Sequence, residues 1–451
     1  MSRAADLGIG GVMEPPVGFL GALRYMGPGL ILSAAIVGSG ELVATTALGA
    51  RAGFALLWVV LLGCVVKVAV QVEYGRQCMM WGQTTFQAWN RGRAGGGWRR
   101  LHWAVWVGMA YMVANMVGQG GVLGGAAQVA VQGVPGVPVW FWVLLLAGVI
   151  GLILVRGRYD WVEGVAIGLN VIFVVGVWVC VWMVQGTEYR FGWDELAGGF
   201  SFRLPEEVVG LAVAAFGITG VAAGEVSMYP YWCLEKGYAR WVGERDGSEA
   251  WVRRARGWMR VMVVDAVVSM GVYTVATVGF YFLGASVLHG EAVLADGDAF
   301  VVQLSQMFTG VLGGGAKWLF LGCAFAVLFS TVFANTAGFS RVWVDCFGLA
   351  GWLDWRDGET RRRWTAVVAV VFVGLAALTY LVVRKPLLLV TFMGISNALF
   401  LVVVGYEAVR FRYRATVSEL RPGMVYDAAL WVSLGAIGFM AWRAVMSLLP
   451  G

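Results

Sequence analysis

Residues 33–50 read SAAIVGSGELVATTALGA. The stretch is apolar enough to lie in a membrane, yet Gly38, Ser39, Gly40 and Glu41 stand at its centre. Glycine permits backbone torsions that other residues resist, and a carboxylate at bilayer depth is costly. These are poor choices for a regular spanning helix. They suit a helix that unwinds, provided protein or a water-filled cavity satisfies the freed carbonyls and N–H groups.

The rest of the chain supplies the membrane setting. Its 451 residues are 59% hydrophobic and 13% charged, too few polar groups to cover a soluble surface of that size. Crossing about 30 Å of hydrocarbon takes roughly 20 apolar residues. Eleven such runs are read here, at about 26–49, 54–78, 102–131, 138–155, 160–185, 207–234, 258–287, 316–342, 365–383, 386–409 and 426–448. The expected fold is an all-α membrane protein: an N-terminal cytoplasmic segment over 1–25, then one transmembrane domain over 26–449. The opening MSRAADLGIGGVMEPPVG lacks the basic start, apolar core and cleavage site of a removable signal peptide.

Most of the 33 Lys and Arg fall in alternate loops, such as those over 76–100, 236–260 and 341–363, while TEYRFGWDELAGGFSFRLPEE and HGEAVLADGDAF are acidic. The positive-inside rule then puts the N-terminus in the cytoplasm and, with an odd span count, the C-terminus outside. The expected location is the bacterial inner (plasma) membrane. Basic residues confined to short loops give no nucleic-acid surface, so the expected partners are the lipid bilayer and an ion or small-molecule substrate. The six cysteines show no metal-ligand pairing, and Cys64, Cys180 and Cys323 lie inside apolar runs as packing residues. Without a P-loop or a His cluster (His102 and His289 fall near span ends), neither an enzyme nor a cofactor is expected.

The opening pattern recurs. Residues 216–234 read FGITGVAAGEVSMYPYWCL, where Gly224-Glu225-Val226 repeats Gly40-Glu41-Leu42. The first lies in span 1 and the second in span 6, which suggests two repeats of five spans (about 26–185 and 207–409) with 426–448 as an extra helix. An odd repeat length inverts the second half across the membrane, a plan common among secondary transporters. Helices 1 and 6 are expected to break at about 38–41 and 222–226 and to meet near the midplane, with Glu41 and Glu225 lining one cavity. Glycine pairs can also serve close helix packing, the role read for Gly120/Gly124 and Gly121/Gly125 in GQGGVLGGAAQ.

At this point the chain resembles a family. GPGLILSAAIVGSGELVATTALGA looks like the first helix of the Nramp divalent-metal transporters, VKVAVQVEYGRQCMMWGQT like their second and GITGVAAGEVSMYPYW like their sixth. The resemblance implies the LeuT-type fold of the amino acid–polyamine–organocation superfamily and transport by alternating access. It also exposes departures. The family's Asp-Pro-Gly-Asn aligns with Gly38-Ser39-Gly40-Glu41, so Gly38 replaces a metal-binding Asp and Glu41 the Asn. Its Met-Pro-His aligns with Gly224-Glu225-Val226, which removes a thioether ligand and a His. Span 3, where the family keeps acidic proton-pathway residues, has none between Trp103 and Gln132.

The candidate substrate site is therefore Gly38, Ser39, Gly40, Glu41, Gly224, Glu225 and Ser227, with Glu41 and Glu225 as the metal-ligating pair. Glycines at 38 and 224 are expected to enlarge the cavity, and Met228 is the nearby sulfur. Two carboxylates at low dielectric need a proton or a cation to balance them. A hard metal ion fits oxygen donors; alternatively, an organic amine, zwitterion or neutral solute fits a site with aromatic walls, for which Tyr111, Tyr229, Tyr231 and Trp232 are candidates. Lys67, deep inside an apolar run, is read as a coupling or charge-balancing residue: either it snorkels to the interface or it pairs with Glu41, Glu225 or Glu73. Glu407 near Arg410 is read as an interfacial pair, and Asp265 as boundary polarity.

Overall fold

The structure, a computed structural model, describes residues 11–29, 36, 38–92, 98–156, 159–290, 300–354 and 357–448. In hydrocarbon each backbone N–H and C=O needs a partner inside the protein, which leaves helices or closed barrels as spanning structures. Here the apolar runs are helices. Wide, π-type turns over Ser39–Thr45 lead into α1 (Thr46–Ala52), followed by α2 (Leu57–Val65) and α3 (Lys67–Trp81). Then come α4 (Trp103–Gly133), α5 (Val139–Arg156) and α6 (Tyr159–Val184). The second half holds α7 (Val209–Ile218), α8 (Ala223–Lys236), α9 (Glu249–Val287), α10 (Ala316–Leu349), α11 (Gly358–Val383), α12 (Pro386–Arg410) and α13 (Met424–Leu448).

Among the described residues, eight segments are long and apolar enough to cross a membrane, one of them the continuous stretch Gly40–Trp81. The runs expected at 102–131 and 160–185 coincide with α4 and α6. Residues 30–35 and 37 of the first expected span lie outside the described residues, as do 1–10 of the N-terminal segment and 291–299 of one acidic loop.

Small residues set how closely the helices approach. Lipid tails are as apolar as Leu, so association depends on packing rather than on escape from water. On α4, a Cβ at Gly120 would stand 2.6 Å from Ala376 O, and one at Gly124 would fall into the Tyr380 ring. This is the packing role read for that glycine run. A close backbone crossing joins α7 to α12, where a Cβ at Gly217 would overlap Gly394 O and one at Gly394 would overlap Ala214 O.

Polar clasps tie the ends. Asp265 is fully buried on α9 and accepts hydrogen bonds from Gly27 N (3.1 Å) and Gly29 N (2.6 Å), so it caps the start of helix 1 rather than marking a boundary. Lys236 Nζ donates to Met26 O (3.1 Å), Tyr238 OH donates to Tyr25 O (3.0 Å), and Tyr25 packs edge-on against Trp241 and Trp258. At the other end of the chain, α13 is held by Asp427 to Arg412 (2.6 and 2.8 Å) and by Tyr426 OH to Glu73 Oε2 (2.8 Å). Glu407 does pair with Arg410 (2.7 Å), but its carboxylate is buried rather than interfacial.

The α7–α12 contact gives a direct test. Gly217→Ala should destabilise the protein by about 1–3 kcal/mol, because the added methyl has a backbone carbonyl in its place. Gly374→Ala on α11, where a Cβ meets nothing within 4 Å, should be neutral or stabilising. Apparent melting temperatures of the two purified variants check this, and equal melting would refute the crossing.

Candidate functional site

Both Gly-Glu pairs open a half-helix, and in the same register. Gly38 departs from helical torsions (φ −176°, ψ −100°) and the wide turns start at Ser39, which makes Glu41 the third residue. Glu41 Oε2 reaches back to accept from Gly38 N (3.2 Å), as the third residue of a capping box does. α8 starts at Ala223 after the non-helical Ala222, so Glu225 is again third. A helix N-terminus favours negative charge, which helps both carboxylates tolerate their depth. The two breaks also touch: a Cβ at Gly40 would stand 2.8 Å from Ile218 O, the last residue of α7.

The break in helix 6 lies over Thr219–Ala222, ahead of the 222–226 expected. The residue that requires glycine there is Gly220, at φ +59°. Gly224, which suggested the break in the sequence, is helical.

Between the breaks lies a polar cavity, lined by Glu225, Asn115, Gln119, Asn335, Asn397 and Met393 together with Ile36, Ile218 and Ala222. It accommodates the centre of a water molecule over about 10 Å³, room for roughly one water. Part of its lining is a continuous network. Asn115 Nδ2 donates to Tyr111 OH (3.1 Å), Tyr111 OH to Asn397 Oδ1 (2.7 Å), and Asn397 Nδ2 to Met393 O (2.9 Å). Gln119 Nε2 faces Asn115 Oδ1 (3.5 Å) and Met393 Sδ (3.6 Å). Two amide oxygens, Gln119 Oε1 and Asn335 Oδ1, are buried without a hydrogen-bond partner among the described residues. Such atoms cost free energy unless something polar fills the space before them.

Glu41 does not line this cavity. It is fully buried beside α9, with Oε1 3.0 Å from Thr277 Oγ1, and its carboxylate also faces the backbone of Gly220 at the break in helix 6. Nor do the glycines enlarge the space. A Cβ at Gly38 would overlap Thr331 Oγ1, and one at Gly224 would stand 2.7 Å from Tyr111 OH and 2.8 Å from Phe339 Cζ; those side chains fill the room the glycines leave. Ser227 Oγ bonds back to Ala223 O (2.8 Å), and Met228 Sδ packs on Gly338, so neither reaches the cavity. The sulfur at the site is that of Met393. The Ser39 side chain lies outside the described residues. Of the proposed aromatic walls, Tyr111 joins the network, Tyr231 bonds to Asp345 and Trp232 stacks under Arg341.

Lys67 does not snorkel, and among the described residues no carboxylate stands within 4 Å of its ammonium, although Glu225 and Glu41 are near enough to act on its charge. It is fully buried at the start of α3, and its ammonium donates to Phe216 O (2.6 Å) and Thr219 O (2.5 Å), carbonyls freed by the break in helix 6. Glu73, one of its expected partners, binds Arg76 instead (3.2 Å).

The amides at 115, 119, 335 and 397 were not singled out from sequence. Their signal is faint but physical: single amides inside apolar runs, with Asn115 and Gln119 four apart and so on one helix face. Asp345 was assigned to a loop. It is buried on α10 and accepts from Tyr231 OH (2.6 Å), Gln87 Nε2 (2.9 Å) and Thr84 Oγ1, below the second half of helix 6. Among the described residues, no three His, Cys, Asp or Glu side chains gather as a metal cage.

Comparisons with known proteins agree with this architecture. The family model described as natural resistance-associated macrophage protein-like (Nramp) matches residues 29–447. A relative in Deinococcus radiodurans, the divalent metal cation transporter MntH, is 27% identical over 332 residues, 72% of this chain and 68% of that protein. The crystal structure of a mutant manganese transporter from Eremococcus coleocola superposes with a TM-score of 0.67 at 14% identity, covering 98% of this chain and 90% of that one. Mhp1, a nucleobase-cation-symport-1 family transporter, superposes at 0.57 and 15% identity, over 97% and 92% of the two chains. The fold is the all-α LeuT type that the family resemblance implies.

Asn335 offers a test that separates stability from function. Its Oδ1 has no hydrogen-bond partner among the described residues, so Asn335→Leu should leave the apparent melting temperature unchanged or raise it. The same change removes a polar atom from the cavity and should depress transport. A clear loss of stability would show that the amide holds the fold together instead.

Proposed function

We propose that the chain, which belongs to the Nramp family, is a secondary transporter that passes a small divalent metal cation by alternating access, holding it beside Glu225 at the break in helix 6. One observation carries this reading: a cavity of about 10 Å³ lined by a carboxylate and by two amide oxygens with no partner of their own. A space of that size suits an ion or a single water; a drug-sized organic ligand needs a pocket of roughly 300–1,000 Å³. The cationic cargo named for the relatives in Deinococcus and Eremococcus supports the same class.

The donors favour a hard ion. Mg²⁺ takes oxygen ligands, keeps several of its waters and is commonly held by one or two carboxylates, and Mn²⁺ accepts similar sites. Glu225, Gln119 and Asn335 would supply the protein oxygens, while Met393 Sδ already faces the Gln119 amide. Glu41, Gly38 and Gly40 would shape the first half-helix that moves against this site, with Glu41 as a charge-balancing group rather than a direct ligand. The loop charges support a plasma-membrane orientation with the N-terminus in the cytoplasm and the C-terminus outside, in a bacterial inner membrane.

Uptake into proteoliposomes with Mg²⁺, Mn²⁺ and Cd²⁺, singly and in competition, tests the reading. Mg²⁺ or Mn²⁺ should enter, and Cd²⁺ should gain no preference over them. Loss of a charged ligand exceeds ~1.4 kcal/mol, so Glu225→Gln should cut uptake about tenfold or more. Strong Cd²⁺ selectivity would make the Met393 sulfur a ligand. No flux of any metal would replace the proposal with an organic solute on the same fold.

A further inference from the structure

The Lys67 ammonium is held by dipoles. Among the described residues its partners are two carbonyls, Phe216 O and Thr219 O, with the Phe216 ring 5.0 Å from Nζ. No carboxylate among them comes within 4 Å, although Glu225 and Glu41 are near enough to act on its charge. The position is the C-terminal end of α7, where the partial negative charge of the helix gathers and where an interrupted helix exposes carbonyls able to take a cation. A third oxygen stands in the same turn: Thr219 Oγ1 is fully buried, has no hydrogen-bond partner, and lies 2.5 Å from where a Cβ at Gly63 would be, one turn before Lys67. Two carbonyl oxygens meeting at one point, with a hydroxyl on the same residue as one of them, are the kind of donors that replace the hydration shell of an alkali cation.

We propose that the Lys67 ammonium is the tethered occupant of a monovalent-cation site built by the break in helix 6, so that this site needs no free Na⁺ or K⁺. An ammonium group brings three donors and a unit charge on a four-carbon stem anchored in α3, and two of those donors meet the freed carbonyls. Tethering makes occupancy independent of salt, and it fixes α3 to the end of α7. Removing the amine while keeping the oxygens should turn the position into a site for a diffusible cation. The inference stands apart from the identity of the cargo, since it concerns occupancy of a position the cargo does not share.

The experiment is thermal unfolding of purified protein without substrate, in NaCl or KCl titrated against choline chloride at constant ionic strength. Wild-type melting should be the same in all three salts. Lys67→Ala should melt lower in choline and recover in a saturable manner as Na⁺ or K⁺ replaces it, the signature of a ligand bound only to the folded state. Lys67→Met fills the space with an apolar chain and should melt lower without recovery. Lys67→Ser, which leaves room and adds a hydroxyl, is read in the same way if the alanine variant does not yield folded protein. Saturable stabilisation of the wild type by Na⁺ or K⁺ would overturn the proposal, as would the absence of cation dependence in both small variants. Because no transported metal is present, either failure leaves the uptake prediction intact.

Discussion

A helix interrupted at membrane depth releases backbone groups that lipid cannot satisfy, and the centre of this molecule is arranged around that demand. The break over Thr219–Ala222 is answered by two other parts of the chain. Lys67 takes two carbonyls, and Gly40 lets the first broken helix come against Ile218 O. The break is thus held by α3 and by the turns before α1 together. Close approach elsewhere serves the same end. α7 can reach its place because Gly217 and Gly394 remove the methyl groups that would hold α12 away.

The division of labour between the two glutamates follows from their surroundings. Each is the third residue of the helical stretch it opens, yet one faces an amide-lined cavity and the other accepts a hydrogen bond from Thr277. Matching positions in the sequence pattern thus carry different chemistry. Side chains from helices outside the broken pair decide which carboxylate meets the cavity: Asn115 and Gln119 on α4, Asn335 on α10, and Asn397 on α12.

Much of the fold could be read in the sequence because lipid imposes a coarse rule, long apolar runs with basic loops on one side, that needs no tertiary detail. The repeated Gly-Glu also gave the broken helices, since two unusual dipeptides at matching positions are hard to explain by packing alone. The placement of the second break was less legible. Gly220 and Gly224 look alike as letters, and only the torsion at 220 shows which of them turns the chain. The cavity lining was hidden for a similar reason: isolated amides on distant helices acquire meaning through convergence, which no local window contains. Lys67 was conspicuous, but a charge in an apolar run suggests a countercharge. Its backbone partners could not be anticipated before the broken helix was placed beside it.

The clasp at the start of helix 1 bears on how readily the molecule changes shape. Asp265 holds Gly27 N and Gly29 N, and Lys236 and Tyr238 hold the carbonyls of Met26 and Tyr25. All of these bonds go to main chain within a few residues, and they join that short stretch to α9 and to the end of α8. Each hydrogen bond involving a charged group is worth roughly 1.5–3 kcal/mol net of its exchange for water, so losing those of Asp265 and Lys236 outright would cost more than the few kcal/mol that keep a minor conformer at about 0.1–10% of the population. The clasp therefore fastens the start of helix 1 to α8 and α9, and any conformation that frees it has to offer those main-chain groups other partners.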